Sequence, residues 1–255
     1  MECLQKSQNL AAAVAAQLFA LPKAQRLGHQ DTVSLLAPLT DQYTLVVALT
    51  ALFSNSSLAL ASVAGPEAEY VAAFRGITPT VIVATLPTLK RLWYARIGAS
   101  TSLSEKVDYW NKARTLAAGN MPKATVSGSP RLIFAYEPSI KHSAPLTSAQ
   151  MFDLKVLTGA RIAYAFTDHS VAGAVSQTNV YDYGHSVEHG DRPSHFGPPV
   201  SCIELKLIDS PDRKVTDDIS SAGWLVVEGP AVVDGKTVVK SPMTMTEKNT
   251  LSYAL

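Results

Sequence analysis

The fold is decided by the stretch Gly159-Ala160-Arg161-Ile162-Ala163-Tyr164-Ala165-Phe166-Thr167-Asp168. Its central run, residues 161–166, is short and apolar, and a hydroxyl and a carboxylate follow it directly. These features are typical of a buried strand whose C-terminal end presents polar groups to a ligand crevice. The stretch therefore predicts an α/β protein with a candidate site at Thr167 and Asp168.

Strand and helix patterns alternate on the N-terminal side of this stretch. Apolar or β-branched runs predict strands over residues 32–36, 58–63, 80–85, 131–136 and 161–166. Helical spacing predicts helices over residues 10–21, 41–53, 67–75, 87–92, 102–118 and 148–158. Such alternation with short connections is typical of a layered α/β structure, which we expect over residues 1–195.

The pattern changes at about residue 196, where short β-runs are separated by Gly, Pro and Asp. Residues 203–208 alternate between apolar and charged side chains, which predicts a half-exposed strand. Further strands are expected over residues 223–228 and 237–239. We therefore predict a β-rich subdomain of the same domain over residues 196–255.

Composition excludes several classes of protein. The chain has 255 residues, 47% of them hydrophobic, so it has enough apolar residues for a sizeable core. A formal net charge of +1, without a run of Lys or Arg interleaved with aromatics, argues against a nucleic-acid partner. The two cysteines, Cys3 and Cys202, lack a paired spacing and fit a reducing, intracellular compartment. The apolar residues 10–21 resemble a signal peptide, but their helical spacing favours an amphipathic helix.

Several segments follow the order of motifs in a known family. Tyr164-Ala165-Phe166-Thr167-Asp168 is similar to a Tyr-Gly-x-Thr-Glu motif, and His142-Ser143-Ala144-Pro145-Leu146-Thr147 to the Gly-Ala-Pro-Leu-Ser loop that precedes it. Ala37-Pro38-Leu39-Thr40-Asp41 lies where the family has Pro-Leu-x-His, and residues 196–209 and 226–232 match later segments. Together these segments resemble the adenylate-forming (AMP-binding) superfamily, in particular its long-chain fatty acyl-CoA synthetase branch.

The resemblance implies the α/β N-terminal domain of this superfamily, present in part, and a two-step ligase reaction. A carboxylate, such as a fatty acid, attacks the α-phosphate of ATP, and coenzyme A then takes the acyl group. The first step uses Mg²⁺ and donors around the α-phosphate, because charge builds on its oxygens as pyrophosphate leaves.

The resemblance also assigns roles to residues. Thr167 would donate to the α-phosphate, Asp168 would bind Mg²⁺, and Asp41 would lie near the acyl entrance. Tyr164 would lie against the adenine, and the 143–145 segment would border the adenine and acyl site. The nucleotide-binding set implied in this way is Ser143, Ala144, Pro145, Tyr164, Ala165 and Thr167.

The chain also departs from the family's pattern. Ala165 replaces a Gly, Asp168 is one methylene shorter than Glu, and Asp41 replaces a His. The phosphate loop, the C-terminal domain with its catalytic Lys and the ribose-binding Asp are not found, the last being expected near residues 239–243. We therefore expect little or no ligase activity from this chain alone. Two alternatives stay open, an incomplete ligase and a non-catalytic domain that binds an acyl group or nucleotide or acts as a scaffold.

Other patterns have simpler interpretations. Thr167 and Asp168 alone are also typical of a helix cap or strand-end turn. His185, His189 and His195 lack a fourth metal ligand and are expected to be solvated. The basic cluster Lys90, Arg91 and Arg96 is more typical of solvated surface than of a phosphate or membrane patch. Exposed sheet edges favour a homo-oligomer, and the resemblance places the protein in the cytoplasm or at the periphery of an organelle membrane.

Overall fold

The computed structural model describes residues 5–61, 64–65, 67–97, 102–126, 128, 130–139, 144–182, 192–211, 214–215, 221–246 and 248–254. Its first layer is a six-stranded sheet. The strands are β1 (Thr32–Leu35), β2 (Ser57–Leu60), β3 (Val81–Thr85), β4 (Leu132–Pro138), β5 (Arg161–Thr167) and β6 (Ser176–Gln177). The order across the sheet is β2-β1-β3-β4-β5-β6, and only β6 runs antiparallel to its neighbour.

Among the described residues, one α-helix precedes the first strand, and four more lie in the connections between the parallel strands. They are α1 (Ser7–Ala20), α2 (Gln42–Phe53), α3 (Leu86–Ile97), α4 (Leu103–Ala117) and α5 (Ser148–Thr158). The strand β3 is buried at every position, as expected for a parallel strand covered on both faces. The predicted α/β class is confirmed. None of the described helices combines the length and apolar character that a membrane span requires.

The helix predicted over residues 67–75 is present only in part. The structure has a five-residue 3₁₀ helix there, Tyr70–Phe74, preceded by Glu69 in extended conformation. Gly76, with a φ of 73°, follows shortly after it. Ala68, Tyr70 and Ala73 are buried, so the segment packs in the core without continuing as an α-helix. Two further 3₁₀ helices cover Lys23–Gln25 and Val233–Gly235.

The second layer is a four-stranded antiparallel sheet near the C-terminal end. Its strands are β7 (Glu204–Ile208), β8 (Ala222–Glu228), β9 (Lys236–Met245) and β10 (Leu251–Tyr253), in the order β10-β9-β8-β7. The predicted strands over 203–208 and 223–228 are confirmed, and β9 is longer than the 237–239 segment expected. The division into domains at residue 195 stays a prediction.

An aromatic cluster joins the two sheets. Phe166 of β5 lies 5.1 Å from Phe196, measured between ring centroids, and Phe196 lies 5.3 Å from Tyr253 of β10. Tyr164 packs against the same Phe196 at 4.9 Å. The side chains are buried, so the second sheet is held against the C-terminal half of β5.

Candidate functional site

A cavity of about 450 Å³ lies at the C-terminal ends of the parallel strands. Its lining residues are Pro38, Thr40, Asp41, Gln42, Tyr43, Thr85, Leu86, Pro87, Tyr136, Glu137, Pro138, Thr167, Asp168, His169 and Gly173. These residues lie at the ends of β1, β3, β4 and β5 or in the segments that follow them. They come together because the carboxyl ends of parallel strands share one edge of the sheet.

The sheet order explains why a crevice opens at this edge. From β1 the chain continues to β2 on one side of it and then crosses to β3 on the other side. The loops that leave β1 and β3 therefore diverge, and Pro38 and Leu86 from these two loops both line the cavity. Such a topological switch point is where open α/β sheets bind ligands.

Thr167 and Asp168, at the end of β5, both line the cavity, and the roles expected for them in ligand binding stay a prediction. The Thr167 hydroxyl donates to the Glu137 carbonyl at 3.2 Å. Asp168 is only 5% exposed, and both of its carboxylate oxygens already accept hydrogen bonds. Oδ1 accepts from the Ser170 backbone N–H at 2.9 Å, and Oδ2 accepts from the Ser139 hydroxyl.

Asp41 and Tyr136, which also line the cavity, form a hydrogen-bonded pair. The Tyr136 hydroxyl donates to Asp41 Oδ2 and is itself 3.4 Å from the Thr44 hydroxyl. Burial raises the pKa of the Tyr136 phenol, and the bond to Asp41 raises it further. Tyr136 therefore stays a donor, and Asp41, although it precedes α2, makes no side-chain cap bond to that helix.

Tyr164 and Ala165 do not lie at the cavity. Both are fully buried, and the Tyr164 hydroxyl donates to Glu137 Oε2 beneath the sheet edge. Burial, followed by the charge of Glu137, raises the pKa of Tyr164 well above its usual value. A side chain without exposed surface is not available to stack on a ligand. The structure thus corrects the expected placement of Tyr164 against an adenine.

The 143–145 segment is placed only in part. Ser143 lies outside the described residues, as do His185 and His189. Ala144 is exposed and Pro145 half-buried, and neither is among the residues that line the cavity. The Ala144 carbonyl accepts a hydrogen bond from the Lys90 ammonium. Burial lowers the pKa of Lys90, and the negative charge of Glu137 offsets part of this decrease.

The segment in which a ribose-binding Asp was expected contacts Ser139, the hydrogen-bond partner of Asp168. Ser241 of β9 donates from its hydroxyl to the Ser139 carbonyl at 3.1 Å. Ser139 is the residue whose own hydroxyl binds Asp168. A hydroxyl, and not a carboxylate, therefore connects β9 to this part of the cavity.

A magnesium ion was implied at Asp168. The described residues include no cluster of three or more His, Cys, Asp or Glu that could hold a metal. Asp168 is nevertheless a carboxylate at the cavity wall, next to the Thr167 hydroxyl. Mg²⁺ is commonly held by one or two carboxylates together with substrate phosphates and water. The donor set thus fits an ion that arrives with a phosphorylated ligand.

The remaining histidine of the three considered from the sequence is His195, and its Nε2 lies 2.8 Å from Asp182 Oδ2.

Several lining residues were not found from the sequence. Tyr136 and Glu137 lie in the last three residues of β4, and Thr85 ends β3, so all three are close to the same C-terminal edge of the sheet as Thr167. The signal that could have identified them is this shared strand-end position. His169, half-exposed and 3.5 Å from Asp168 Oδ1, follows the quoted stretch directly.

Comparisons with solved structures identify the fold. ATP-bound MatB from Rhodopseudomonas palustris matches 98% of this chain and 44% of its own, at a TM-score of 0.66 and 16% identity. Unliganded O-succinylbenzoate coenzyme A synthetase (MenE) from Bacillus subtilis matches 99% and 46%, at 0.66 and 13%. A long-chain-fatty-acid-CoA ligase (FadD1) from Archaeoglobus fulgidus matches 98% and 47%, at 0.61 and 16%.

This chain has the fold of the matched part of these three structures. The predicted resemblance to the adenylate-forming superfamily is confirmed at the level of the fold, and the chain spans less than half the length of these structures. No protein-family model matches the chain, and no curated protein matches it at a significant level.

Proposed function

We propose that the cavity binds an adenine nucleotide with its magnesium ion, next to a carboxylic acid, in an AMP-dependent ligase-like domain. The observation that supports this most directly is that Thr167 and Asp168 line the cavity at the C-terminal edge of the sheet, the edge at which the switch point between β1 and β3 opens. A hydroxyl donor and a carboxylate at that edge suit a magnesium-bound phosphate group.

In this proposal the chain's residues bind and orient. Thr167 donates to an oxygen of the α-phosphate, exchanging its bond to the Glu137 carbonyl for one to the ligand. Asp168, held in place by Ser139 and Ser170, holds the ion, which screens phosphate charge. Asp41 and Tyr136, hydrogen-bonded to each other in the lining of the same cavity, border the acyl group of the acid.

The reaction assigned to the domain is ATP-dependent acyl adenylation followed by thioesterification. A carboxylate oxygen attacks the α-phosphorus, and the bond to pyrophosphate breaks, which leaves an acyl-adenylate. Attack by the thiol of coenzyme A then forms the thioester and releases AMP. A fatty acid is the proposed acid, and weak but measurable turnover is expected for this chain under this candidate.

Ligand binding without catalysis is a second candidate function. It is favoured by the hydrogen bonds that already occupy both oxygens of Asp168. It is also favoured by Ser241 in the region where a ribose-binding carboxylate was expected. Pyrophosphate release upon addition of a fatty acid separates the two candidates, because only the ligase produces it.

Calorimetric titration with magnesium-ATP tests the proposal. The variant Thr167→Val, Asp168→Asn keeps the shape of both side chains but removes one donor and one charge. We expect it to bind at least about 10-fold more weakly, the effect of losing a hydrogen bond to a charged group. The matched control is Thr115→Val, Asp108→Asn on α4, outside the cavity lining.

The control should bind like the wild type, and thermal unfolding without ligand verifies that each variant is folded. Absence of heat from a folded wild-type protein would rule out the nucleotide site. Equal affinity of the wild type and the cavity variant would place any nucleotide elsewhere. Binding without pyrophosphate release would assign the protein to the second candidate function.

A further inference from the structure

The helix α4 presents an apolar stripe to solvent. Leu103, Val107 and Trp110 are 81%, 59% and 58% exposed. Their spacing of four and three residues places them on one face of the helix, at about 100° per residue. A stripe of this kind on a helix with charged neighbours is a candidate interaction surface.

The opposite face of α4 already holds the helix in place. Leu116 packs with Phe152 and Val156 of α5 in a small core of its own, and Tyr109 lies against that core. The Tyr109 hydroxyl also donates to Asp153 of α5. The exposed stripe is therefore not needed to attach α4 to the rest of the molecule.

Charge is segregated around the stripe. Lys106 and Arg114 follow Leu103 by three and eleven residues, which places these cations on or beside the apolar face. The acids Glu105 and Asp108 lie on the far side of the helix by the same geometry. Arg114 also stacks over the Trp110 ring, 4.8 Å from its centroid.

We propose that this stripe docks α4 on an anionic lipid surface. A helix with Trp and Leu on one face, bordered by Lys and Arg, can lie in the plane of the headgroups. Basic side chains near an anionic leaflet add to the binding, and no acid lies on the stripe to oppose it. The inference depends only on α4 and is independent of the proposed function of the cavity.

A second copy of the chain fits the stripe less well. A symmetric pair would bring Lys106 and Arg114 of both copies together without an acid between them. Three apolar side chains on each copy also fall short of the roughly 1,000 Å² that a stable interface buries. Both the charge and the area therefore favour a lipid surface.

Co-sedimentation of the full chain with vesicles tests the proposal. The vesicles are phosphatidylcholine with or without phosphatidylserine, at low and at physiological salt. We expect binding only with phosphatidylserine, and weaker binding at higher salt. The variant Lys106→Glu, Arg114→Glu should reduce partitioning by about 30-fold or more, as expected for the loss of two basic groups near the surface. The variant Leu103→Gln, Trp110→Gln should also bind the vesicles more weakly, because only the electrostatic attraction of the basic side chains remains.

The matched control is Lys23→Glu, Lys206→Glu, which makes the same change in net charge at two exposed lysines away from α4. Equal sedimentation of this control and of the α4 charge variant would overturn the proposal, as would absence of binding to phosphatidylserine vesicles. Light scattering, which measures the oligomeric state, tests the alternative that a second copy of the chain occupies the stripe. A wild-type dimer that Leu103→Gln, Trp110→Gln converts to a monomer would assign the stripe to self-association.

Discussion

Asp31 and Arg131 form a charged network at the edge of the sheet opposite the cavity. Arg131 donates from Nη2 to Oδ2 at 2.7 Å and from Nε to Oδ1 at 2.9 Å. Thr80 donates to Oδ1 at 2.7 Å, and the Gly28 N–H donates to Oδ2 at 3.0 Å. These bonds tie together the segments that precede β1, β3 and β4, the strands whose other ends build the site.

We expect Asp31→Asn to make the protein less stable by about 2 kcal/mol at neutral pH, since charge-assisted hydrogen bonds are lost. Burial by itself would raise the pKa of Asp31, but the bonds and charge of Arg131, with those of Thr80 and Gly28, outweigh it and leave the pKa below 3.8. The stabilisation is therefore complete above about pH 4 and lost as the pH falls through the lower folded-state pKa.

Denaturant unfolding at a series of pH values measures this effect. Wild type and Asp31→Asn should converge as the pH falls below about 4. Asp108→Asn, which removes an exposed carboxylate paired with Lys112 on α4, is the control and should change stability little. A constant gap between wild type and Asp31→Asn down to pH 2 would contradict the lowered pKa.

The junction between α5 and β5 determines where the segment of residues 159–168 begins. Thr147 and Gln150 form a capping box at the start of α5, and Gly159 ends the helix with a φ of 61°. A Cβ at Gly159 would lie 2.7 Å from both the Pro122 carbonyl oxygen and the Ala124 backbone nitrogen. The glycine is needed for its conformation and for its lack of a side chain.

Gly159→Ala is expected to cost about 3 kcal/mol of stability, the sum of a left-handed backbone penalty and a backbone clash. Gly119→Ala is the matched control, because Gly119 also follows a helix with a positive φ but has open space around it. The control should cost only about 1 kcal/mol. Equal losses in chemical denaturation would show that conformation alone explains the requirement.

The elements with strong patterns were predictable. The buried β-branched run of β3 and the apolar run of β5 lie within a residue of their predicted bounds. The helix expected over 67–75 was not formed at full length, and Glu69 is extended although residues on both sides of it pack in the core, which no local pattern reveals. Which strands become neighbours depends on contacts distant in sequence, so the order around β1 was not predicted.

The strand end that carries Thr167 and Asp168 was predictable, because one segment supplies it. Thr167 and Asp168 are found together at a strand end, as their sequence indicated. Ser139, which donates to Asp168, lies 29 residues earlier, and Tyr136 lies 95 residues from Asp41, the carboxylate to which it donates, so no local pattern distinguishes them. Tyr164 was expected at the ligand site. The strand β5 is buried on both of its faces, so this side chain is buried whichever face it lies on.

At the scale of the whole molecule, one buried carboxylate connects the two sheets beneath the cavity. Glu137 of β4 accepts from the Tyr164 hydroxyl at Oε2 and from the Tyr253 hydroxyl of β10 at 3.2 Å on Oε1. Burial and then the charge of Glu137 raise the pKa of both phenols, so both remain donors across the physiological range. Because Glu137 also lines the cavity, the second sheet supports the site directly.

Tyr253→Phe and Tyr164→Phe are each expected to lower stability by about 1 to 2 kcal/mol, since each removes a donor from a buried carboxylate but keeps the ring. The double variant should lose less than the sum of the two, by about 1 kcal/mol, because a carboxylate that has lost one donor can take up a proton and then depends less on the other. Tyr94→Phe, at an exposed tyrosine of α3, is the control and should be neutral. Strict additivity in urea unfolding would mean that the two phenols act separately, and that Glu137 does not couple the second sheet to the cavity wall.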